Sequence, residues 1–247
     1  MQEICLFCFF ILGLTAGSFL HAAAISIPDA FPIVRTWRCC GHCHSSLPVS
    51  ALIPPLNWLI WRGKCPVCAA PCSRRSMVTE LLAGILFVLC GLTQPSLADK
   101  VGGVLLICLL ILVALIDLDT MEIPDRLPAL ILLLALIRMM AAPSGWPDQF
   151  AGALIVSVPF WFLYRLQAMG GGDVKLMFAA GMLLGVRRIV TAFLISLGLG
   201  SLAALILLLF FGANRRTEIP FGPFLAAGLI FALLFPSAAS LTLFQAL

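Results

Sequence analysis

Charged residues are scarce in this chain, and their scarcity excludes most classes of protein. They make up 11% of its 247 residues, whereas hydrophobic residues make up 62%. A soluble domain is typically about half apolar and about a quarter charged. One water-soluble core cannot hide so much apolar surface. The composition therefore excludes a cytosolic globular enzyme, a disordered chain and a small secreted disulfide-rich protein. We expect lipid to be the main solvent of this chain.

Several common functional motifs are also absent. The three histidines form no His-Glu-x-x-His pattern, which argues against a zinc protease of that type. The chain has no Gly-x-Ser-x-Gly elbow and no Walker loop. No lysine- and arginine-rich block is dense enough to suggest nucleic-acid binding. No basic residue precedes the first apolar run, as it would in a secretory signal, so we expect this run to be a retained membrane span.

What the chain does contain is a series of long apolar runs. In lipid, backbone polar groups must be satisfied within the chain, which favours helices for these runs. We therefore predict an all-α, polytopic membrane protein with about eight transmembrane helices. The predicted spans are roughly residues 4–26, 77–92, 100–117, 127–142, 149–168, 174–186, 189–211 and 222–245.

The distribution of basic residues predicts the orientation of these spans. Placing the N-terminus outside puts most of the fifteen lysines and arginines in cytoplasmic loops, as membrane proteins prefer. The opposite side then carries only Lys100, Arg138, Arg187 and Arg188. We expect a multi-pass membrane protein whose functional loops face the cytoplasm.

Residues 29–76 have no long apolar run and form a predicted cytoplasmic insert. The predicted organisation is a first transmembrane helix at 1–28, this insert at 29–76, and a membrane core of about seven helices at 77–247. The insert contains two Cys-x-x-Cys pairs, whose members are Cys40, Cys43, Cys65 and Cys68. Two such turns can direct four thiolates at one ion, which is typical of a closed structural zinc site.

The four cysteines also have alternative interpretations. They could form disulfides or remain free thiols, although a reducing cytoplasm argues against stable disulfides. Four further donors lie nearby and leave the exact ligand set open: Cys39, His42, His44 and Cys72. A short insert with little apolar core would need a metal of this kind in order to fold.

Two acidic residues are the best candidates for chemistry. Asp117 follows an unbroken apolar run, and Asp173 follows three glycines, Gly170, Gly171 and Gly172. On the predicted topology both lie at the cytoplasmic edge of the membrane and could meet. Two carboxyl groups that share one proton can activate water and protonate a carbonyl oxygen, which cleaves a peptide bond without a covalent intermediate. A pairing of Asp117 with Asp173 is our hypothesis.

The neighbours of these aspartates leave several roles open. Three successive glycines predict a loop that bends freely and lets another segment approach closely. The same pattern could be an ordinary helix break followed by an N-terminal aspartate. Asp125 precedes a predicted helix, where capping or a favourable dipole interaction is as plausible as catalysis. Asp119 and Glu122 are most simply solvated loop residues.

Together these features resemble the bacterial type IV prepilin leader peptidases, which are membrane aspartic proteases of the GxGD kind. The similar motifs follow in order along nearly the whole chain. They are Gly17–Leu20, the two cysteine pairs with Ile53–Leu59 and Arg62–Cys65, Arg75 with Glu80, Asp117–Asp125, Gly170–Lys175 and Ile219–Ala226. Departures occur at His21 and at Ser45–Ser50, whereas both aspartate motifs are intact.

The resemblance implies an activity and a set of site residues. Such enzymes cut the short basic leader from prepilins or pseudopilins at the cytoplasmic face, and many then methylate the new N-terminus with S-adenosylmethionine. Asp117 and Asp173 would be the catalytic pair, and Cys40, Cys43, Cys65 and Cys68 the zinc ligands. We expect support for the substrate or the loop from Gly170, Gly171, Gly172, Lys175 and Asp125.

Three other functions remain to be weighed against this expectation. The first is a peptidase without methyltransferase activity. The second is a proton-coupled transporter, because carboxylates within a membrane often mark proton paths. Transporters usually contain two related halves, and the chain shows none. The third is a catalytically idle assembly factor, against which the intact Gly-Gly-Gly-Asp motif argues. The sequence leaves open whether the enzyme would serve a type IV pilus, a competence apparatus or a type II secretion system.

Overall fold

The computed structural model describes residues 2–27, 40, 42–43, 45–46, 60–62, 64–71, 73–141, 145–167, 169–210 and 219–236. Within these ranges the regular structure is helical, Lys64 and Pro71 form an isolated β-bridge, and the described residues contain no β-strand. The prediction of an all-α protein is therefore confirmed. The helices are α1 (Gln2–Ser26), α2 (Arg74–Thr93), α3 (Leu97–Thr120), α4 (Arg126–Ala141), α5 (Trp146–Arg165), α6 (Gly171–Leu184), α7 (Val186–Phe210) and α8 (Gly222–Leu234).

Each predicted span corresponds to one of these helices, and the largest error is at the end of the last one. The apolar run predicted a span to residue 245, but α8 ends at Leu234, and residues 237–245 of that span lie outside the described residues. Pro236 explains this early end. A proline disfavours helical geometry in the residue before it, and Phe235 has left that geometry with φ −120° and ψ 65°.

Four helices of the described part are long and apolar enough to cross a membrane by themselves: α1, α2, α3 and α7. This supports a membrane protein. By contrast α4, α6 and α8 contain 16, 14 and 13 residues, fewer than the roughly 20 that a straight span needs. The count of about eight spans therefore stays a prediction.

The chain divides into two compact units, Met1–Leu115 and Ile116–Leu247. In the first unit, α1 packs closely against α2 through Gly13 and Gly17. A Cβ atom at either glycine would lie 2.6 Å from the backbone of α2. Glycines four residues apart let two membrane helices approach in this way. The three predicted domains at 1–28, 29–76 and 77–247 stay predictions.

Polar contacts between and along helices accompany this packing in the first unit. Glu80 of α2 is buried, and the hydroxyl of Ser76 donates to its Oε1 at 2.9 Å. The guanidinium of Arg75 donates to the backbone carbonyl of Leu115 at 2.9 Å. Buried polar groups need such partners, because losing hydration without them is costly.

In the second unit, α6 is the central helix. It packs against α4 and α5, while α7 packs against α5 and α8. Most of its side chains are buried, among them Leu176, Met177 and Ala180. The ends of α6 are therefore held in place by its neighbours, and each end carries a group of polar residues.

Candidate active site and candidate metal centre

Asp117 is buried near the C-terminal end of α3 and accepts a hydrogen bond from the start of α8. Its exposed fraction is 5%, and the backbone N–H of Gly222 donates to Oδ2 at 2.8 Å. The first N–H groups of a helix have no partner within it. The contact therefore satisfies a buried carboxyl oxygen and a helix-terminal donor together, and it limits the positions that the carboxyl group can occupy.

Gly222 is a site residue to which the sequence motif assigned no role. A Cβ atom at this position would lie 2.7 Å from Oδ2 and 2.8 Å from Cγ of Asp117. Any side chain would therefore displace the carboxyl group. The signal in the sequence was a glycine between Phe221 and Pro223 at the start of an apolar run, but nothing local indicated its partner.

Asp173 lies in the first turn of α6, before the apolar run that begins at Leu176. It is buried, with an exposed fraction of 9%. Burial raises the pKa of Asp173 to about 7, and the negative charge of Asp117 raises this pKa as a second cause, while a backbone hydrogen bond at Gly170 opposes both. The two carboxyl groups are therefore close enough to influence each other, and a proton on Asp173 is retained near neutral pH.

The three glycines before Asp173 are not the freely bending loop that the sequence predicted. Gly170 is the extended N-cap residue, and Gly171 and Gly172 are the first residues of α6. The predicted close approach is observed, because a Cβ atom at Gly172 would lie 2.8 Å from Cβ of Ile123. The missing side chain lets α6 begin directly against the segment between α3 and α4.

Asp125 and Lys175 form an ion pair between the starts of α4 and α6. Nζ of Lys175 lies 2.7 Å from each carboxylate oxygen of Asp125. Both side chains are well exposed, at 55% for the lysine and 72% for the aspartate. Water screens such a pair, so its contribution to stability is about 0–1 kcal/mol. Asp119 and Glu122 are exposed, which agrees with their prediction as solvated residues.

An apolar cavity of about 550 Å³ lies beside this ion pair, between α4, α5 and α6. Pro128, Ala129 and Leu132 line it from α4, Trp161 from α5, and Phe178 from α6. Asp125 and Lys175 are its charged lining residues. A cavity of this size and character suits several large apolar side chains or part of an apolar helix.

The four predicted cysteines converge in the first unit. The Sγ atoms of Cys40, Cys43, Cys65 and Cys68 all lie within 4.8 Å of one another. The Sγ atoms of Cys40 and Cys68 are 3.8 Å apart, and those of Cys43 and Cys65 are 3.9 Å apart. A disulfide would need about 2.05 Å, so these are free thiols. The cluster could hold one metal ion.

Two similar backbone turns position these sulfur atoms. The N–H of His42 faces Sγ of Cys40 at 3.4 Å, and the N–H of Val67 faces Sγ of Cys65 at 3.5 Å. Ser45 contacts Sγ of Cys43 at 2.8 Å. The side-chain and backbone hydrogen bonds of Ser45 lower the pKa of Cys43 to about 6, which makes its metal-binding thiolate form available.

The additional donors named from the sequence have separate outcomes. His42 is described but is not part of the four-cysteine cluster. Cys39, His44 and Cys72 lie outside the described residues. In the second unit Asp125 pairs with Lys175, and the charge of Asp117 acts on Asp173. The assignment of Asp117 and Asp173 as a catalytic pair stays a prediction.

Two family models match the chain. The model of the type IV leader peptidase family matches residues 104–207, and the model of the bacterial peptidase A24 N-terminal domain matches residues 11–94. The first interval contains Asp117 and Asp173, and the second contains the four cysteines. Gly222 lies beyond both intervals.

The chain is also similar to several relatives over most of its length. It is 34% identical over 232 residues to the prepilin leader peptidase/N-methyltransferase of Bacillus subtilis (strain 168), covering 92% of each chain. It is 33% identical over 196 residues to the protein of the same name from Aeromonas hydrophila, covering 76% of this chain and 68% of the relative.

A differently named relative comes from Escherichia coli O78:H11 (strain H10407 / ETEC). It is called the type 4 prepilin-like proteins leader peptide-processing enzyme and is 31% identical over 217 residues, covering 84% of this chain and 79% of the relative. No solved structure matches the chain.

Proposed function

The chain belongs to the type IV leader peptidase family, and from this premise we propose that it is a membrane aspartic endopeptidase for prepilins or pseudopilins. The observation that carries the proposal is the burial of Asp117 and Asp173 in one unit, with the charge of one acting on the other. Two such carboxyl groups hold one proton between them near neutral pH. This is the protonation state that peptide hydrolysis by two aspartates requires.

The reaction uses the two carboxyl groups in complementary roles. The ionised group takes a proton from a water molecule, and the water oxygen attacks the carbonyl carbon of the scissile bond. The protonated group donates its proton to the carbonyl oxygen. The tetrahedral intermediate then collapses and the carbon–nitrogen bond breaks. The leaving nitrogen takes the proton that the first carboxyl group accepted from water, and a hydroxyl of the intermediate returns its proton to the second carboxyl group, which restores the starting pair. The contact from Gly222 supports this chemistry by holding Asp117 in one position.

The apolar cavity suits the membrane helix of such a substrate. An apolar helix that enters laterally between α4, α5 and α6 would find apolar walls, with the ion pair of Asp125 and Lys175 at its edge. Filling the cavity by Ala129→Trp should weaken cleavage by raising the substrate concentration needed for half-maximal rate. Leu130→Trp is the matched control, since Leu130 is exposed and does not line the cavity.

For the four cysteines we propose structural zinc. Thiolates about 2.3 Å from a tetrahedral zinc ion lie about 3.8 Å from one another, close to the 3.8 and 3.9 Å between the paired sulfur atoms here. Bound zinc would cross-link the two turns. A site closed by four cysteines leaves no position for substrate, so we assign it no catalytic step.

The membrane location, the orientation of the active site and a second activity are further proposals. The distribution of lysine and arginine supports an active site that faces the cytoplasm, and the family resemblance implies the bacterial inner membrane. The second activity in the names of the relatives, N-methylation, would use S-adenosylmethionine on the new N-terminus. The transporter alternative is not favoured, because the matched family and the relatives are named for peptidase activity.

The decisive experiment is cleavage of a model prepilin by the purified full-length protein in detergent. Asp117→Asn and Asp173→Asn should each lower the rate ~100- to 10,000-fold, since each removes one proton-transfer group. Asp119→Asn is the control, because Asp119 is an exposed aspartate in the same segment as Asp117. Full activity of either main variant would remove that aspartate from the mechanism.

Intact mass of the products separates the two proposed activities. Cleavage without a mass gain in the presence of S-adenosylmethionine would leave a peptidase alone. A gain of one methyl group on the mature N-terminus would establish the second activity. Absence of cleavage by the folded wild-type protein, with several prepilins, would contradict the proposed function.

A further inference from the structure

A second polar site lies at the other end of α4 and α6 from the two aspartates. A cavity of about 430 Å³ is lined there by Arg138, Asp148, Gln149, Leu184, Arg187 and Arg188, among others. We call it the arginine pocket. The 14 residues of α6 separate it from the start of that helix, a length of about 21 Å. It is therefore distinct from the proposed active site.

The turn between α6 and α7 positions two of these arginines, Arg187 and Arg188, at the pocket. Gly185 joins the two helices with φ +78°. Residues other than glycine rarely adopt this backbone conformation. A carboxyl oxygen of Asp148 packs directly against this glycine. Since α7 begins at Val186, Arg187 and Arg188 lie in its first turn.

The charge of the pocket favours an anion. Three arginines and one aspartate line it, so the formal charge of these side chains is 3 − 1 = +2. The start of a helix already carries a positive partial charge, and arginines in the first turn therefore experience an unfavourable field. A bound anion would offset the excess positive charge of the pocket and the unfavourable field at the start of α7. Arg138, Arg187 and Arg188 are also three of the four basic residues that the sequence predicts on the less basic side of the membrane.

Gln149 adds a requirement for a hydrogen-bond donor. Its side-chain carbonyl oxygen is buried and accepts no hydrogen bond within the described residues. A buried acceptor without a donor costs about 1–3 kcal/mol. A ligand that presents a hydroxyl group beside its negative charge would satisfy this oxygen as well as the arginines.

We propose that the arginine pocket binds the phosphate of an anionic phospholipid whose headgroup carries hydroxyl groups, as phosphatidylglycerol does. The guanidinium group matches the geometry of phosphate oxygens, and basic pockets between membrane helices bind lipid headgroups. Leu183 and Leu184 add apolar lining at the end of α6, where acyl chains would lie. The proposed peptidase activity makes no use of this site.

The test compares lipid binding by purified full-length variants in detergent, using native mass spectrometry with phosphatidylglycerol or phosphatidylcholine. The wild-type protein should retain phosphatidylglycerol in preference to phosphatidylcholine. Arg187→Gln combined with Arg188→Gln should lower the affinity for phosphatidylglycerol by ~10-fold or more, as expected from the loss of charged hydrogen bonds. Arg187→Gln alone should lower it less, and this single variant should leave folding unchanged because Arg187 is exposed.

Arg74→Gln is the matched control. Arg74 is also an exposed arginine in the first turn of a helix, so its substitution removes the same charge from a comparable position outside the pocket. Unchanged phosphatidylglycerol binding in this control, with reduced binding in both pocket variants, supports the proposal. Equal binding by the wild-type protein and both pocket variants would overturn it.

Inorganic phosphate distinguishes a lipid headgroup from a free ion. Phosphatidylglycerol should protect the wild-type protein against heat in a manner that depends on Arg187, whereas millimolar inorganic phosphate should not. Equal protection by inorganic phosphate, lost in Arg187→Gln, would identify free phosphate as the ligand and refute the lipid assignment.

Discussion

The two sets of reactive side chains in this molecule are assembled in different ways. The four cysteines come from two short turns, and within each turn the paired residues are only three positions apart. The carboxyl groups of Asp117 and Asp173 come from different helices, and the donor to Asp117 is 105 positions further along the chain. Local geometry thus builds each half of the first set, and the two halves meet across 22 to 28 positions of the chain, whereas packing of the second unit builds the second set. The two sets should respond differently to substitution.

The largest expected effect is loss of metal from the cysteine cluster. Cys40→Ser or Cys65→Ser should reduce bound zinc from about one ion per chain to nearly none, because a structural site needs its complete set of thiolates. Elemental analysis of the purified protein measures this directly. Cys5→Ser is the control, since Cys5 is an exposed cysteine of α1 outside the cluster. Unchanged zinc in both cluster variants would defeat the four-cysteine proposal.

Substitution of Gly222 should have the next largest effect. Gly222→Ala places a Cβ atom against the carboxyl group of Asp117, and displacement of that group should slow cleavage ~10- to 100-fold. Gly198→Ala is the matched control, because a Cβ atom there has no neighbour within 4 Å. Rates of prepilin cleavage would reveal the difference, and equal rates would show that Asp117 does not depend on this contact.

The pH dependence of cleavage should be smaller but diagnostic. Because burial raises the pKa of Asp173 to about 7, a rise in pH through that value removes the proton that the pair shares. Cleavage at low substrate concentration should then fall up to about tenfold for each further pH unit. A rate that stays constant from about pH 6 to about pH 9, with the protein folded throughout, would contradict the shared-proton mechanism.

The smallest effect should follow loss of the exposed ion pair. Asp125→Asn and Lys175→Met should each slow cleavage less than about fivefold, since a solvated pair contributes about 0–1 kcal/mol. The double variant should resemble either single one, because both substitutions remove the same interaction. Complete loss of cleavage by stable Asp125→Asn protein would instead place Asp125 in the chemistry.

The difference in assembly also explains which features the sequence could predict. The positions of the helices follow from apolar runs, and the two halves of the cysteine cluster follow from spacing within short turns. Pairing of Asp117 with Asp173 could be proposed only from a shared membrane edge and from family resemblance. Gly222 had no local sign of its partner. The gathering of Arg138, Arg187 and Arg188 was equally invisible, because it depends on how α4 and α6 end beside α7.

Errors in the prediction also have local physical causes. The glycines before Asp173 suggested a mobile loop, but neighbouring segments hold Gly171 and Gly172 within α6. The final apolar run suggested a longer helix than α8, because hydrophobicity outweighed the proline at position 236. Composition alone therefore locates helices better than it locates their ends.

The hydrogen bond between Gly222 and Asp117 has a consequence for biogenesis. Asp117 emerges from the ribosome 105 residues before its donor, a delay of roughly 5–20 s at typical bacterial rates of synthesis. During that interval the carboxyl group lacks the contact that holds it in place. We expect a nascent chain to acquire full peptidase activity only after its last described helix has joined the others, so the order of translation itself delays proteolysis until the membrane protein is assembled.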